Sequence, residues 1–199
     1  DNGFAFSSNV VTAGNSTGGF LTEESITSWA NQIGYTKDQY SASLMVNLKY
    51  NGWEDSYFST SNGHKRLNTA GNQKANSTNY GLRGWWRPVD ASSATPSISL
   101  GYDVSSIDDV AATIDQTDAW FVGLNWVDVF QADDKVGIAL GQPQTREDEV
   151  VDPLSWEAYY EFKVNDSVSV TPSVFGASDR KGTAGEDMTG ALIQTTLKF

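Results

Sequence analysis

Apolar and polar residues alternate with a period of two along most of this chain. In the clearest run, residues 155–164, Trp156, Ala158, Tyr160, Phe162 and Val164 fall on one parity, and Glu157, Tyr159, Glu161 and Lys163 on the other. Successive side chains of a β-strand point to opposite faces, so this pattern predicts a strand with one greasy and one wet side. Similar alternation over residues 28–35, 42–50, 79–87, 95–103, 118–127, 135–142, 168–176 and 189–199, with a weaker run at 3–11, predicts about ten strands. Each is close to the roughly 9–11 residues that a tilted strand needs to cross a bilayer.

The connections carry a second pattern. Residues 165–167 form a tight turn signal, 36–39 is brief, and 89–94 and 128–134 are modest, whereas 51–76, 104–117, 143–154 and 177–188 are long and polar. Counted back from Phe199, every long connection lands on one rim and every short one on the other. An up-and-down transmembrane barrel has this asymmetry, with short periplasmic turns and longer external loops.

The two parities carry different chemistry. On the apolar side the large aromatics come in pairs six residues apart: Trp29 with Tyr35, Tyr80 with Trp86, and Trp120 with Trp126. Six residues of strand span roughly 20 Å, close to the spacing of the aromatic girdles that bracket an apolar band of about 25 Å in outer-membrane barrels. Trp156 and the terminal Phe199 join this set, and the same rings would also suit the core of a sandwich. The other parity holds Lys49, Arg83, Arg87, Asp103, Asn125, Glu157, Glu161, Lys163 and Lys198 among small residues. A dry core would impose several kcal/mol on each unpaired charge, so water meets that side. It is the pore lining of a membrane barrel or the outer surface of a soluble sandwich.

Composition narrows the classes. Hydrophobic residues make up 39% of the 199, below the roughly 45–50% of ordinary globular chains. No apolar run approaches the roughly 18–20 residues of a membrane helix, so a spanning chain would cross as strands. The formal net charge of −12 argues against nucleic acid, whose phosphates call for a basic stripe. There is no cysteine, hence no disulfide, thiolate nucleophile or thiolate metal site.

Candidate chemistry is thin. Glu157 and Glu161 share a face, but four strand residues place them roughly 13 Å apart, beyond the roughly 5–9.5 Å of glycosidase carboxylate pairs. His64 is the single histidine, and with no cysteine a transition-metal site is not expected. Asp108, Asp109 and Asp115, with Glu147, Asp148 and Glu149, read as an acidic outer rim without a calcium-loop spacing. Arg83 and Arg87 facing Asp103, Glu157 and Glu161 would set a transverse field in a lumen, or would simply pair as lumen salt bridges. The loop 51–76 either folds inward to constrict the pore or stays outside. No catalytic residue, metal or cofactor is expected.

The stretches "NYGLRGWWRPVD", "PSISLGYD", "TDAWFVGLNWVDVF", "VGIALGQPQ", "SWEAYYEFKVNDSVSVTPSVFG" and the terminal "TTLKF" resemble cyanobacterial outer-membrane porins, the iron-uptake porins of the carbohydrate-selective porin superfamily. The likeness covers most of residues 78–199; "SWANQIGYTKDQYSASLMV" extends it loosely into the first part. Members of that family carry a signal peptide, an S-layer-homology domain and a coiled-coil linker before a barrel of about sixteen strands, so this chain resembles the C-terminal portion of such a barrel. The resemblance implies an outer-membrane location, a homotrimer, passage of small hydrophilic solutes and inorganic ions, a role in inorganic-ion or iron supply, and recognition of Phe199 by the barrel-insertion machinery.

The expectation is therefore an all-β, antiparallel up-and-down transmembrane barrel acting as a diffusion channel in outer-membrane lipid. Two alternatives stay open: a soluble carbohydrate-binding or lipocalin-like β domain that uses its Trp rings as stacking platforms, and a non-conducting barrel that tethers the envelope.

Overall fold

A computed structural model describes residues 2–13, 22, 24–51, 76–89, 94–108, 116–147 and 149–199. Ten strands form one antiparallel sheet in strict sequence order: β1 Phe4–Ala13, β2 Ile26–Lys37, β3 Tyr40–Tyr50, β4 Asn76–Trp86, β5 Ser97–Asp108, β6 Gln116–Val127, β7 Lys135–Arg146, β8 Leu154–Asn165, β9 Val168–Ser178 and β10 Met188–Leu197. Each of the ten predicted alternating runs is a strand. β1 and β10 are the sheet's edges and do not pair with each other, so the sheet is open.

Several strands run further than their apolar alternation. β5 continues through Val104, Ser105 and Ser106 to Asp108, and β7 through Pro143 to Arg146. The first keeps Val104 and Ile107 but loses the alternation, and the second is polar; cross-strand pairing with β4 and β6 maintains them. The rim asymmetry is correspondingly weaker than expected. Connections 38–39 and 166–167 are two-residue turns, but 87–96 on the same rim is longer than 109–115 and 147–153 on the other.

Two prolines mark breaks in the ladders. Pro143 lies where β7 carries one extra residue against β6: Asp118 pairs with Thr145 while Trp120 pairs with Gln142. A bulge is one of the few places where a strand tolerates a residue lacking an N–H. In β9, Tyr159 pairs with Ser173 and Phe162 with Val170, but no pairing joins Tyr160 and Glu161 to β9, and the ladder resumes in the same register. Pro172 sits opposite that gap, since it has no N–H to donate.

The registers also set how far the strands are staggered. Followed from partner to partner, the row that starts at Phe4, the first residue of β1, passes Gly84 of β4 and Val122 of β6 and reaches Thr189, the second residue of β10. Phe4 belongs to the rim of the two-residue turns, whereas Thr189 lies at the opposite rim, eight residues from the strand end at Leu197. The drift is about one residue per strand. With a rise of roughly 3.3 Å and a strand spacing of roughly 4.8 Å, that stagger corresponds to a tilt of about 35°, the value barrel strands adopt.

Candidate functional site: a polar wall backed by an apolar face

Directly paired residues share a face, so the registers sort the sheet into two surfaces. Apolar residues of one parity run without a break across it: Ile33 faces Leu44 and Leu44 faces Leu82; Leu100 faces Val122 and Val122 faces Leu140; Ile138 faces Ala158 and Ala158 faces Val174. Among the described residues no second sheet packs on this surface. Leu82 is 51% exposed, Leu100 50% and Ile193 75%. Soluble monomers seldom leave a contiguous apolar patch of more than a few hundred Å² open to water.

The eight aromatics assigned to a girdle all have this parity. Trp29, Tyr80, Trp86 and Trp156 are exposed on it, and Phe199 ends it fully exposed. Near the rim of the long first loops, Trp120 stands directly beside Tyr102 and donates through Nε1 to Gln142 Oε1 at 3.2 Å; Trp29 Nε1 donates to Ser8 Oγ at 2.9 Å. An indole with a polar partner at its tip and an apolar body suits an interface. Near the other rim Tyr35 packs on Phe4 at 4.7 Å and on Tyr40 at 6.0 Å, with Trp86 and Trp126 at the ends of β4 and β6. The sequence reading missed part of this second belt. Phe130, in the turn after β6, meets Tyr160 edge-on at 5.5 Å, and Tyr160 stacks on Phe162 at 5.6 Å. Phe130 sits outside any alternating run, so no pattern flagged it.

The opposite surface carries all nine residues expected to line water, Arg87 just past the end of β4. Arg83 and Asp103 form an ion pair of 2.6 Å; Arg83 Nη1 also donates to the carbonyls of Leu82 and Tyr102 at 2.8 and 3.3 Å. Lys135 faces Glu161 directly across β7 and β8 and pairs with it at 3.3 Å. Lys163 reaches Asp133 at 2.9 Å. Arg87 lies over the Trp85 ring, 4.4 Å from its centroid. Lys49 sits beside Ser28 and Ser77 near the other rim. Of the nine, Glu161, Lys163 and Lys198 come together, around a notch of about 210 Å³ beside the β8–β9 turn.

A field drawn between Arg83 and Asp103 or Glu161 is therefore not the arrangement: both carboxylates are matched by a base on a neighbouring strand. Local pairing, the other reading of these charges, describes them. Glu157 is different. It has no ion pair or hydrogen bond among the described residues. Asn125 connects to Tyr159, its Nδ2 donating to the phenolic oxygen at 2.7 Å, with Gly137 between them in the register. Lys135, Asp133 and Tyr159 were not singled out from sequence as site residues, because only the register shows what each one faces.

The turn between β6 and β7 is built around Asp134, which is fully buried. Its carboxylate accepts from the backbone N–H groups of Val129, Phe130 and Gln131 at 2.7, 2.9 and 3.0 Å and from the Tyr160 hydroxyl at 3.0 Å. Burial alone would raise its pKa; the three N–H donors and the hydroxyl outweigh it and hold the carboxyl below its ordinary value. Asp133 beside it is also lowered, by the hydrogen bond and charge of Lys163.

Among the described residues no cluster of three acidic or histidine side chains is placed to hold a metal, and no helix is long and apolar enough to cross a membrane. His64, Asp109, Asp115, Asp148 and residues 52–75 of the long loop lie outside the described residues. No family model, no curated protein and no solved structure matches this chain. The fold and its two surfaces define the class: an all-β protein made of a single amphipathic, up-and-down antiparallel sheet.

Proposed function

We propose that this chain forms the wall of a porin-type barrel in an outer membrane, passing small hydrophilic solutes and inorganic ions down their gradients. One observation carries the reading: a continuous apolar face, edged by aromatics at both rims and left uncovered among the described residues, lies back to back with a face of ion pairs and amides. Lipid suits the first face and water the second, and a closed barrel gives each its solvent. Strands of 10–12 residues and the stagger of about one residue per strand agree with membrane-spanning dimensions and tilt.

In this reading the open edges β1 and β10 are completed by further strands of a larger barrel, as the likeness to cyanobacterial porins implies, and three such barrels assemble in the outer membrane. The chain does no chemistry; width and charge of the polar wall select what passes.

The test is planar-bilayer recording of the full-length protein, with stepwise insertion of conductance expected. Complete absence of current from correctly folded protein removes the channel. A soluble carbohydrate-binding domain is separated by a simpler experiment, because it stays monodisperse without detergent, whereas a lipid-facing Leu82, Leu100 and Ile193 surface aggregates.

A further inference from the structure

The polar face contains a recess that its ion pairs do not explain. Between β6 and β9 the wall is cut back to Ala139, Gly141, Ser155 and Ala177, and above them opens a cavity of about 520 Å³, within the roughly 300–1,000 Å³ of small-molecule sites. Two aromatic rings bound it, and each leans outward. Phe121 lies over Gly101, where any Cβ would overlap its ring, while the atoms it brings nearest to Gly141 are its Cα and Cβ. Phe175 lies in the same way over Gly190. The two glycines thus take up the rings and leave the trough between them empty.

Glu157 enters this trough. It is the register partner of Ala139 on one side and of Phe175 on the other, it is exposed, and it has no ion pair or hydrogen bond among the described residues. Asp103 also borders the cavity, but its charge is already matched by Arg83 at 2.6 Å. The cavity therefore offers one uncommitted negative charge beside the Phe175 ring, over a floor that is apolar except for Ser155; the Phe121 ring on its other side already carries the Arg83 guanidinium, 5.8 Å from its centroid.

That combination selects a ligand class. A hard divalent cation needs about six oxygen ligands, and among the described residues no three-membered acidic cluster is available. An anion is repelled. A neutral sugar calls for several directional donors and acceptors, but Gln142 is already bonded to Trp120 and Asp118 and Asp103 to Arg83, which leaves Ser155 beside the carboxylate. An organic ammonium ion satisfies both features at once, with its charge toward the carboxylate and its carbon groups against the Phe175 ring.

We infer that this cavity is a subsite for small organic ammonium ions, with Glu157 as the charge partner and Phe175 as the aromatic wall. In the channel proposed above it would retain such cations on the pore wall; this consequence rests on that reading, whereas binding needs only the folded sheet.

The experiment titrates full-length protein in detergent micelles with choline and with its neutral isostere 3,3-dimethylbutan-1-ol, following saturation-transfer NMR. Choline is expected to saturate, with the isostere about tenfold weaker or more. Glu157→Gln removes most of choline's advantage over the isostere, leaving the severalfold part that the ring supplies, and Glu157→Asp restores part of the difference. Phe175→Leu, which keeps bulk and loses the ring, weakens choline severalfold without changing the isostere. Equal affinity for the two probes, or choline binding untouched by Glu157→Gln in a folded variant, overturns the site. Bilayer current read in parallel separates the two claims: choline binding without any conductance removes the channel and keeps the subsite, and conductance without choline binding does the reverse.

Discussion

Asn125 and Tyr159 join β6 to β8 over the top of β7, the amide donating to the phenolic oxygen at 2.7 Å. The residue they bridge is Gly137, the register partner of both. A Cβ there would occupy the space of the Tyr159 ring. The glycine is thus a socket: it lets a large ring lie flat on the sheet instead of standing away from it, and it brings the hydroxyl within reach of a strand two places away.

Gly137→Ala is expected to force the Tyr159 ring off the wall and break this hydrogen bond, at a cost of about 1–3 kcal/mol for overpacking. Tyr159→Phe keeps the ring and removes only the hydroxyl, for about 1 kcal/mol. Urea unfolding of the refolded protein in detergent measures both. If the two variants are equally stable, the socket is not what holds Tyr159.

The two faces predict opposite responses to one substitution. Leu82→Arg places a charge amid the apolar band, where lipid-facing arginine costs about 2–4 kcal/mol near the midplane. Ser99→Arg, on the other face beside Trp85 and Gly123, meets water and is expected to be tolerated within about 0.5 kcal/mol. Yield of protease-resistant protein inserted in lipid vesicles reads the difference. Were Ser99→Arg the one to block insertion, the assignment of faces would be inverted.

Asp134 gives a pH dependence. Its folded-state pKa is held below the unfolded value, so its contribution to stability is fully present above the ordinary aspartate range of about 4 and is lost as pH falls through the folded value. Protonation removes charge-assisted bonds to three backbone N–H groups and frees the Tyr160 hydroxyl. Melting temperature in detergent should fall on acidification below pH about 4, whereas Asp134→Asn should be less stable at neutral pH and flatter through that window. A wild-type curve that parallels the variant at every pH would show that the turn does not depend on the charge.

Much of this architecture was legible in the sequence because a period of two is the direct imprint of one wet and one greasy face. All ten strands and the face of every aromatic and charge singled out could be read from parity alone. What parity cannot carry is register. The pairing of Lys135 with Glu161, the Gly137 socket and the cavity beside Glu157 each depend on which residue stands opposite which, and no local pattern in residues 118–177 contains that. Strand ends were also blurred: Val104 to Asp108 breaks the period of two and Pro143 to Arg146 is polar, so the alternation stopped before the hydrogen bonding did. Closure belongs to a third level, since β1 and β10 do not pair with each other and an edge left open does not say what, if anything, covers it.

The Arg83 and Asp103 pair makes the final prediction, about selectivity more than stability. Both side chains are well exposed, at 46% and 35%, so the pair itself contributes under about 1 kcal/mol and single variants should fold. Electrostatically they cancel, and removing one leaves the other as a fixed charge on the polar wall. Asp103→Asn then exposes the Arg83 guanidinium and should move the zero-current potential in a KCl gradient toward anion preference; Arg83→Gln exposes the carboxylate and should move it toward cations. The two shifts must have opposite signs, and the double variant should return close to wild type, because the pair is neutral when intact and neutral when deleted. High salt should shrink both shifts, as the Debye length falls from about 10 Å at 0.1 M to about 3 Å at 1 M. Variants that both shift the potential the same way, or not at all in dilute salt, would place this pair away from the conducting path and transfer the task of selection to other parts of the wall.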